Sequence, residues 1–127
     1  MYSRERFNQL VRDEQVIRWP ERFVRPKRSW TKSERKTVWE NAAKESPDGI
    51  VRDPLTKRPI QFSDPWEFGH KPQYEFWKHR RSARQRGISE AEFLEEYKKL
   101  HQYRPETKAT NQGRKAEDTT DAYDGPP

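Results

Sequence analysis

The chain has 127 residues, which predicts one globular domain, because two separate cores would each be too small to be stable. It contains no cysteine, which excludes disulfide bonds and thiolate zinc sites, and it has neither a signal-peptide pattern nor an apolar run of about 18 residues. Its net charge of +6 indicates a polyanion such as nucleic acid as partner, although a merely solvated basic surface explains the charge about equally well.

Residues 1–46 are predicted to form a helical and basic arm that packs on the rest of the domain. The apolar spacing over residues 3–17 predicts an amphipathic helix. Residues 19–30 are basic, contain two prolines and predict an extended connector. A second helix is predicted over residues 32–44, because Thr31 and Glu34 have the spacing of a capping box. The connector carries three rings that can anchor it: Trp19, Phe23 and Trp30.

The middle of the chain predicts short β-structure. Two β-favouring runs, residues 50–52 and 60–62, surround a turn rich in proline and aspartate, which is typical of a hairpin. Residues 66–68 predict a short strand that delivers Gly69 and His70 to its end, where side chains are held by the sheet and still reach solvent.

Two helices and a second extended segment are predicted to follow. The first helix covers residues 74–86 and ends at Gly87, and the second covers residues 89–100 and begins at the capping residue Ser89. Residues 103–106 are expected to be extended. The aromatic side chains Trp66, Trp77 and Tyr97 are expected in the core, and His79 at the surface.

The C-terminal part predicts a loop, a short helix and a tail. Residues 107–110 are read as the loop, and Asn111 is expected to cap a helix that reaches Glu117. Residues 119–127 are expected to fray.

Residues 66–75 have the composition of a catalytic site. His70 follows a glycine and lies between two acidic residues, and histidine accepts a proton near neutral pH, since its unperturbed pKa is ~6.5. Carboxylate and amide oxygens are the ligands that Mg²⁺ and Mn²⁺ prefer. The chain offers such oxygens at Glu67, Glu75, Glu106, Asn111 and Glu117. Together with the basic charge, these residues indicate metal-assisted hydrolysis of a phosphodiester.

Each of these residues also has a purely structural interpretation. His70 can be an ordinary hydrogen-bonded histidine, and Glu75 can be a favourable charge at a helix N-terminus. Asn111 can act only as a helix cap.

The order of several motifs resembles the GH-E toxin nucleases, a branch of the HNH and endonuclease VII superfamily named for a Gly-His pair and a Glu. The resemblance runs from about Ile50 to the C-terminus. Its motifs are Asp53-Pro54-Leu55-Thr56, Trp66-Glu67-Phe68-Gly69-His70-Lys71-Pro72, Tyr74-Glu75-Phe76-Trp77, Gly87-Ile88-Ser89 with Glu92-Phe93, Tyr103-Arg104-Pro105-Glu106, and Asn111 with Lys115 and Glu117.

The resemblance implies an α+β fold, mostly helical, with short hairpins and a small ββα-metal core. The core would span residues 47–118, with a helical insertion at residues 74–100. Its first strand would end at His70, its second would lie near residues 103–106, and its helix would begin after Asn111.

The resemblance also implies roles for individual residues. His70 would activate water, and Glu75 would bind the metal or orient His70. Gly69 stands where other branches place a metal-binding Asp, so another carboxylate must replace it. The implied metal ligands are Asn111, Glu117 and Glu67, and the implied nucleic-acid contacts are Arg114, Lys115, Lys71 and Arg81.

The function implied by the resemblance is that of a metal-dependent endonuclease toxin that cleaves DNA with one divalent ion. Mg²⁺ is the expected metal, with Mn²⁺, Zn²⁺ and Ni²⁺ as alternatives. An RNase of the same fold and a non-catalytic basic binding module remain as alternative functions. We expect a monomer that is secreted or delivered by a contact-dependent or type VI-like system into the target-cell cytoplasm and is inhibited by a cognate immunity protein.

Overall fold

The computed structural model describes residues 23–26 and 29–127, so the helix expected over residues 3–17 and the anchor Trp19 lie outside the described residues. In order along the chain, the elements are α1 (Lys32–Glu45), β1 (Glu67–His70), α2 (Phe76–Arg86), α3 (Glu90–Tyr97), a 3-10 turn (Leu100–Gln102), β2 (Tyr103–Glu106) and α4 (Lys108–Gly113). The α+β class, mostly helical with one small sheet, is confirmed. Within the described residues, no helix is long and apolar enough to cross a membrane.

Helix α1 begins at the predicted capping box. The Thr31 hydroxyl accepts the N–H of Glu34 at 3.1 Å, and the Glu34 carboxylate accepts the N–H of Thr31 at 2.8 Å. These two bonds satisfy backbone donors that an uncapped helix leaves open. The predicted start of the helix is therefore confirmed.

The hairpin predicted over residues 50–62 forms only one β-bridge. Arg52 pairs with Pro59, and the N–H of Ile60 donates to the carbonyl of Val51 at 2.8 Å. Because proline has no N–H, Pro59 cannot extend the ladder into regular strands. The segment is a tight turn stabilised by Asp53, whose N–H donates to the carbonyl of Arg58 at 2.9 Å.

Strands β1 and β2 pair antiparallel, with Glu67 opposite Glu106 and His70 opposite Tyr103. Strand β1 ends at His70, as the resemblance implied, two residues beyond the end that the local pattern predicted. Side chains alternate between the two faces of a strand. One face therefore carries Phe68 and the Tyr103 ring, which lie 5.5 Å apart in the core. The other face carries Glu67, Gly69, Arg104 and Glu106.

Helix α3 ends at Tyr97 rather than near residue 100. The side-chain amide of Gln102, which is fully buried, donates to the carbonyls of Glu96, Tyr97 and Lys99 at 2.8 to 3.1 Å. It satisfies carbonyls that the helix leaves open at its C-terminus. The other predicted ends agree more closely: α2 stops at Gly87, which has a φ of 67°, and Ser89 caps α3.

Helix α4 begins at Lys108, so the loop predicted over residues 107–110 and the cap at Asn111 are wrong. The hydroxyl of Thr107 is the cap and accepts the N–H of Thr110 at 3.3 Å. Asn111 lies inside the helix. Arg114, with a φ of 54°, ends the helix in the left-handed conformation, before the predicted end at residue 117.

Among the described residues, the core contains two clusters of rings and aliphatic side chains. One is centred on Val38, Ile60, Trp66 and Tyr103, and the other on Phe23, Ala83 and Phe93. Trp77 is not in the core as expected: it is 39% exposed, with Arg81 and Lys78 over its ring.

His79 is buried, not at the surface as expected. Its Nε2 bonds to the Glu96 carboxylate at 2.8 Å, and its ring stacks on Phe93 with centroids 4.4 Å apart. Burial lowers the pKa of His79, and the Glu96 carboxylate partly opposes this. Arg86 donates two bonds of 2.7 Å to the same carboxylate, which joins α2 to α3.

The C-terminal segment, expected to fray from residue 119, contacts α2 and the turn before it. The N–H of Asp124 donates to the carbonyl of Gln73 at 3.2 Å, and Arg81 pairs with Asp121 at 2.9 Å. The segment contains no helix or strand, and these contacts with α2 and the preceding turn hold it against the rest of the domain.

Candidate active site

A cavity of about 220 Å³ lies beside the sheet and α4. Four residues predicted for the site meet here: His70, Asn111, Arg114 and Glu117. The remaining lining residues are Arg25, Glu106 and Gln112.

The imidazole of His70 lies at the end of β1 among aromatic rings, with the Tyr103 ring 4.6 Å away. Its Nε2 is closed to solvent and has no hydrogen-bond partner among the described residues. Burial lowers the pKa of His70 to about 3, and the positive charge of Arg25 and the neighbouring His79 act in the same direction. The ring is therefore neutral at physiological pH and offers a nitrogen lone pair to a cation, and it becomes an effective proton acceptor only when nearby negative charge raises its pKa.

Glu106 crosses from β2 into the space beside Gly69. A methyl group on Gly69 would overlap the Glu106 carboxylate, so the glycine provides the room for this acid. Glu106 is 4% exposed, and its Oε2 accepts a 2.9 Å bond from Nε of Arg104. Burial raises the pKa of Glu106; Arg104 opposes this, while the charges of Asp53 and Glu117 add to it. A cation in the cavity would favour the ionised form of the Glu106 carboxylate and so offset the effects of burial and of the neighbouring acids.

Asn111 is oriented by a carboxylate from β1. Its Nδ2 donates to Oε1 of Glu67 at 3.0 Å, and Gln112 donates to the other oxygen at 3.3 Å. A carboxylate accepts and does not donate, so the bond fixes which end of the amide points to Glu67. The side-chain carbonyl oxygen of Asn111 therefore points away from Glu67 and is open to another partner. The structure thus places Glu67 against the amide groups of α4, and Glu67 does not line the cavity.

Basic side chains approach the cavity from two directions. The guanidinium of Arg25 lies 4.8 Å from the centre of the Phe76 ring, at the start of α2. Arg114 is the residue directly after the C-terminal end of α4. Arg104 donates to the carbonyl of Ala116 at 3.2 Å, which holds the turn that carries Glu117 against the sheet.

Glu75 is not brought to the cavity. It is fully buried, its oxygens accept the N–H groups of Gln73 at 2.8 Å and Asp118 at 3.1 Å, and it pairs with Lys78 at 3.1 Å. The expected contact between Glu75 and His70 is absent among the contacts of the described residues, because the carboxylate is already used by these partners.

Three of the four basic residues expected to bind nucleic acid lie outside the cavity lining. Lys71 pairs with Glu45 at 2.7 Å, Arg81 pairs with Asp121, and Lys115 is exposed. Arg114 alone of the four lines the cavity.

Two lining residues, Arg25 and Gln112, are not among the predicted site residues. Glu106 was predicted only as one of five possible oxygen donors, and its position beside Gly69 follows from the strand register. No local signal distinguishes Arg25 from the other arginines of the basic connector.

The donor atoms around the cavity suit a hard divalent cation that keeps some of its water. Mg²⁺ is commonly bound by one or two carboxylates, with water completing its six ligands. Glu106, Glu117 and the carbonyl of Asn111 provide such oxygens, and His70 provides a neutral nitrogen. Across residues 23–26 and 29–127, no group of three or more His, Asp or Glu side chains is arranged so that it could hold a metal ion, so the amide oxygen of Asn111 and water would have to complete the ligand set.

Two paired antiparallel strands, separated in the chain by α2 and α3, are followed by α4, and a histidine and two acids line the cavity beside them. The chain belongs to the GH-E family: a family model described as "HNH/ENDO VII superfamily nuclease with conserved GHE residues" matches residues 48–117. Nucleases of this superfamily generally depend on a divalent metal. No solved structure matches the chain.

Proposed function

We propose that the protein is a metal-dependent endonuclease that hydrolyses DNA phosphodiester bonds. The observation that carries the proposal is the convergence of His70, Glu106, Asn111 and Glu117 on one cavity with Arg25 and Arg114 beside it. A base, oxygen ligands and guanidinium groups are the components that phosphodiester hydrolysis requires.

In this proposal Glu106, Asn111 and Glu117 hold the metal, and Glu106 takes the role that the sequence had suggested for Glu75. When bound, a divalent cation supplies positive charge that polarises the phosphate and stabilises the departing 3′ oxygen. Glu67 positions Asn111, because its carboxylate holds the amide nitrogen and leaves the carbonyl oxygen for the metal.

His70 accepts the proton of the attacking water. Since Nε2 is closed to solvent, Nδ1 is the nitrogen that takes this proton. The low pKa keeps His70 unprotonated in the free protein, and a bound phosphodiester raises that pKa again by adding negative charge beside the ring.

Arg25 and Arg114 neutralise the phosphate at the cleavage point, where a guanidinium donates two parallel hydrogen bonds. Lys71, Lys115 and Arg81 contribute contacts to more distant phosphates. Contacts of this kind are independent of base sequence, and binding should therefore weaken as salt increases.

A plasmid-cleavage assay tests the proposal: purified protein is incubated with supercoiled plasmid in the presence of Mg²⁺ or Mn²⁺. The expected result is nicking that EDTA abolishes and that His70→Ala reduces by about a hundredfold or more. His101→Ala is the matched control, because His101 is exposed at the 3-10 turn and does not line the cavity. Intact plasmid under all conditions would contradict the proposal.

The same assay separates the alternatives. Cleavage of total RNA with plasmid left intact would indicate an RNase that uses the same residues. Nucleic-acid binding without cleavage, unchanged by EDTA and by His70→Ala, would indicate a non-catalytic binding module.

We further propose that the protein is a toxin delivered into the cytoplasm of competing bacteria and neutralised by an immunity protein. The support is the resemblance to toxin nucleases and a net charge of +6, which suits attack on nucleic acid. Expression in a bacterial host should reduce viability, and His70→Ala should restore it. Equal growth of both strains at equal protein levels would contradict the toxic role.

A further inference from the structure

A buried lysine on α2 connects the start of that helix to the segment after α4. The side chain of Lys78 is fully buried, although lysine is almost never buried without partners. Its Nζ donates to Asp118 at 2.7 Å and to the carbonyl of Ala122 at 2.6 Å, and it lies 3.1 Å from Oε1 of Glu75.

All three N–H bonds of the Lys78 ammonium therefore have an acceptor, which fixes the position of each partner relative to α2. The Glu75 carboxylate completes the connection by accepting the N–H of Asp118 at 3.1 Å.

Asp118 immediately follows Glu117, which lines the cavity. The short turn before it is tethered on its other side, because Arg104 donates to the carbonyl of Ala116. Glu117 thus lies between one attachment to the sheet and one attachment to α2. Without the attachment of Asp118 to Lys78 and Glu75, Glu117 would be held only on its N-terminal side, by the bond between Arg104 and Ala116.

We propose that Lys78, Glu75 and Asp118 are positioning residues that hold Glu117 in the active site. This inference rests on the proposed nuclease function. It also gives Glu75 a role that differs from the one expected from sequence: it acts through the backbone of Asp118, and it touches neither substrate nor metal.

Asp118→Ala tests the inference, because the Asp118 side chain is partly exposed at 19% and its loss removes one attachment without leaving a large cavity. The expected result is a kcat lower by about ten- to a hundredfold with KM for plasmid changed less than about threefold, since a misplaced group affects the reaction more than binding. Mn²⁺ binding, measured by calorimetry without DNA, should weaken as well. Asp118→Asn keeps an acceptor for Lys78 and should recover part of the lost kcat.

Two controls separate positioning from general loss of structure. Asp121→Ala changes an acid in the same segment whose only ion pair in the described residues is with Arg81 and whose side chain is 91% exposed, so kcat should stay at the wild-type value. Thr31→Ala removes the cap of α1, which takes no part in the bonds among Lys78, Glu75 and Asp118, and it should lower stability while kcat per folded molecule stays unchanged.

A wild-type kcat and wild-type Mn²⁺ affinity in Asp118→Ala would overturn the positioning role while leaving the nuclease function intact. A loss that matches the fraction unfolded, as in Thr31→Ala, would overturn it as well. Wild-type protein that cleaves neither DNA nor RNA would overturn the proposed function and this inference together.

Discussion

The carboxylate of Glu106 occupies the space in which a side chain on Gly69 would have to lie. The two residues belong to adjacent strands and lie on the same face of the sheet, toward α4. A glycine before the histidine is therefore required by the acid on the opposite strand, and the backbone conformation of Gly69 is not the reason.

Gly69→Ala should displace the Glu106 carboxylate and lower kcat by about a hundredfold, because a shift of about 1 Å in a catalytic group has an effect of that size. Circular dichroism should remain that of the folded protein. Gly113→Ala is the matched control: its added methyl meets only Lys115, at 3.9 Å, and kcat should not change. Equal activity of the two variants would contradict the placement of Glu106 in the site.

Glu106→Gln should abolish most activity and at the same time raise the melting temperature in EDTA. Burial raises the pKa of Glu106, which means that the ionised carboxylate lowers stability at neutral pH. Gln keeps the shape of the side chain and removes the charge near Asp53 and Glu117. Thermal unfolding measures the change, and a lower melting temperature would show that the pair with Arg104 dominates.

Glu67 and Asn111 should behave as a coupled pair. Glu67→Ala frees the Asn111 amide to rotate, so it should lower kcat, and Asn111→Ala should lower it further. The double variant should be no worse than Asn111→Ala alone, with a coupling energy of about 1–2 kcal/mol from the kcat values. Additive losses would indicate that Glu67 contributes independently, as a direct metal ligand would.

Asp53→Asn should lower the free energy of unfolding at pH 7 by roughly 1–3 kcal/mol, because Asp53 is fully buried and accepts bonds from the Thr107 N–H and the Thr110 hydroxyl. Burial alone would raise the pKa of Asp53, but hydrogen bonds from Thr56, Thr107 and Thr110 lower it to about 2.

This pKa defines the pH range of the effect. The unfolded value is about 3.9, so the stabilisation is complete above that pH and is lost as pH falls towards 2. Denaturation at pH 7 and at pH 3 should therefore give a smaller difference between wild type and Asp53→Asn at the lower pH. A constant difference, or an equal effect of Asp121→Asn, would contradict the assignment.

The sequence predicted the helix starts whose capping bonds join residues close to each other in the chain. The caps at Thr31 and Ser89 were both identified, because the cap and its partner lie within three residues of each other. The start of α4 was missed, because Thr107 and Asn111 are both good capping residues. Asp53, far away in sequence, binds the N–H of Thr107 and thereby stabilises the earlier start.

The sequence predicted those cavity-lining residues whose chemistry is visible in short motifs. The sequence indicated His70 through the residues around it, and Asn111, Arg114 and Glu117 through the resemblance. The position of Glu106 depends on strand register, and that of Glu75 depends on its buried partner Lys78. Both follow from tertiary contacts that no local pattern contains.

Residues outside the family match complete the interior of this domain. Phe23 is fully buried against Phe93, with ring centroids 4.9 Å apart, and Trp30 stacks on Phe68 at 4.5 Å. The core of the described structure therefore extends beyond the matched segment, residues 48–117. A fragment trimmed to the segment would expose two aromatic surfaces and lose Arg25, so we expect that a stable fragment must also include the residues from Phe23 onward.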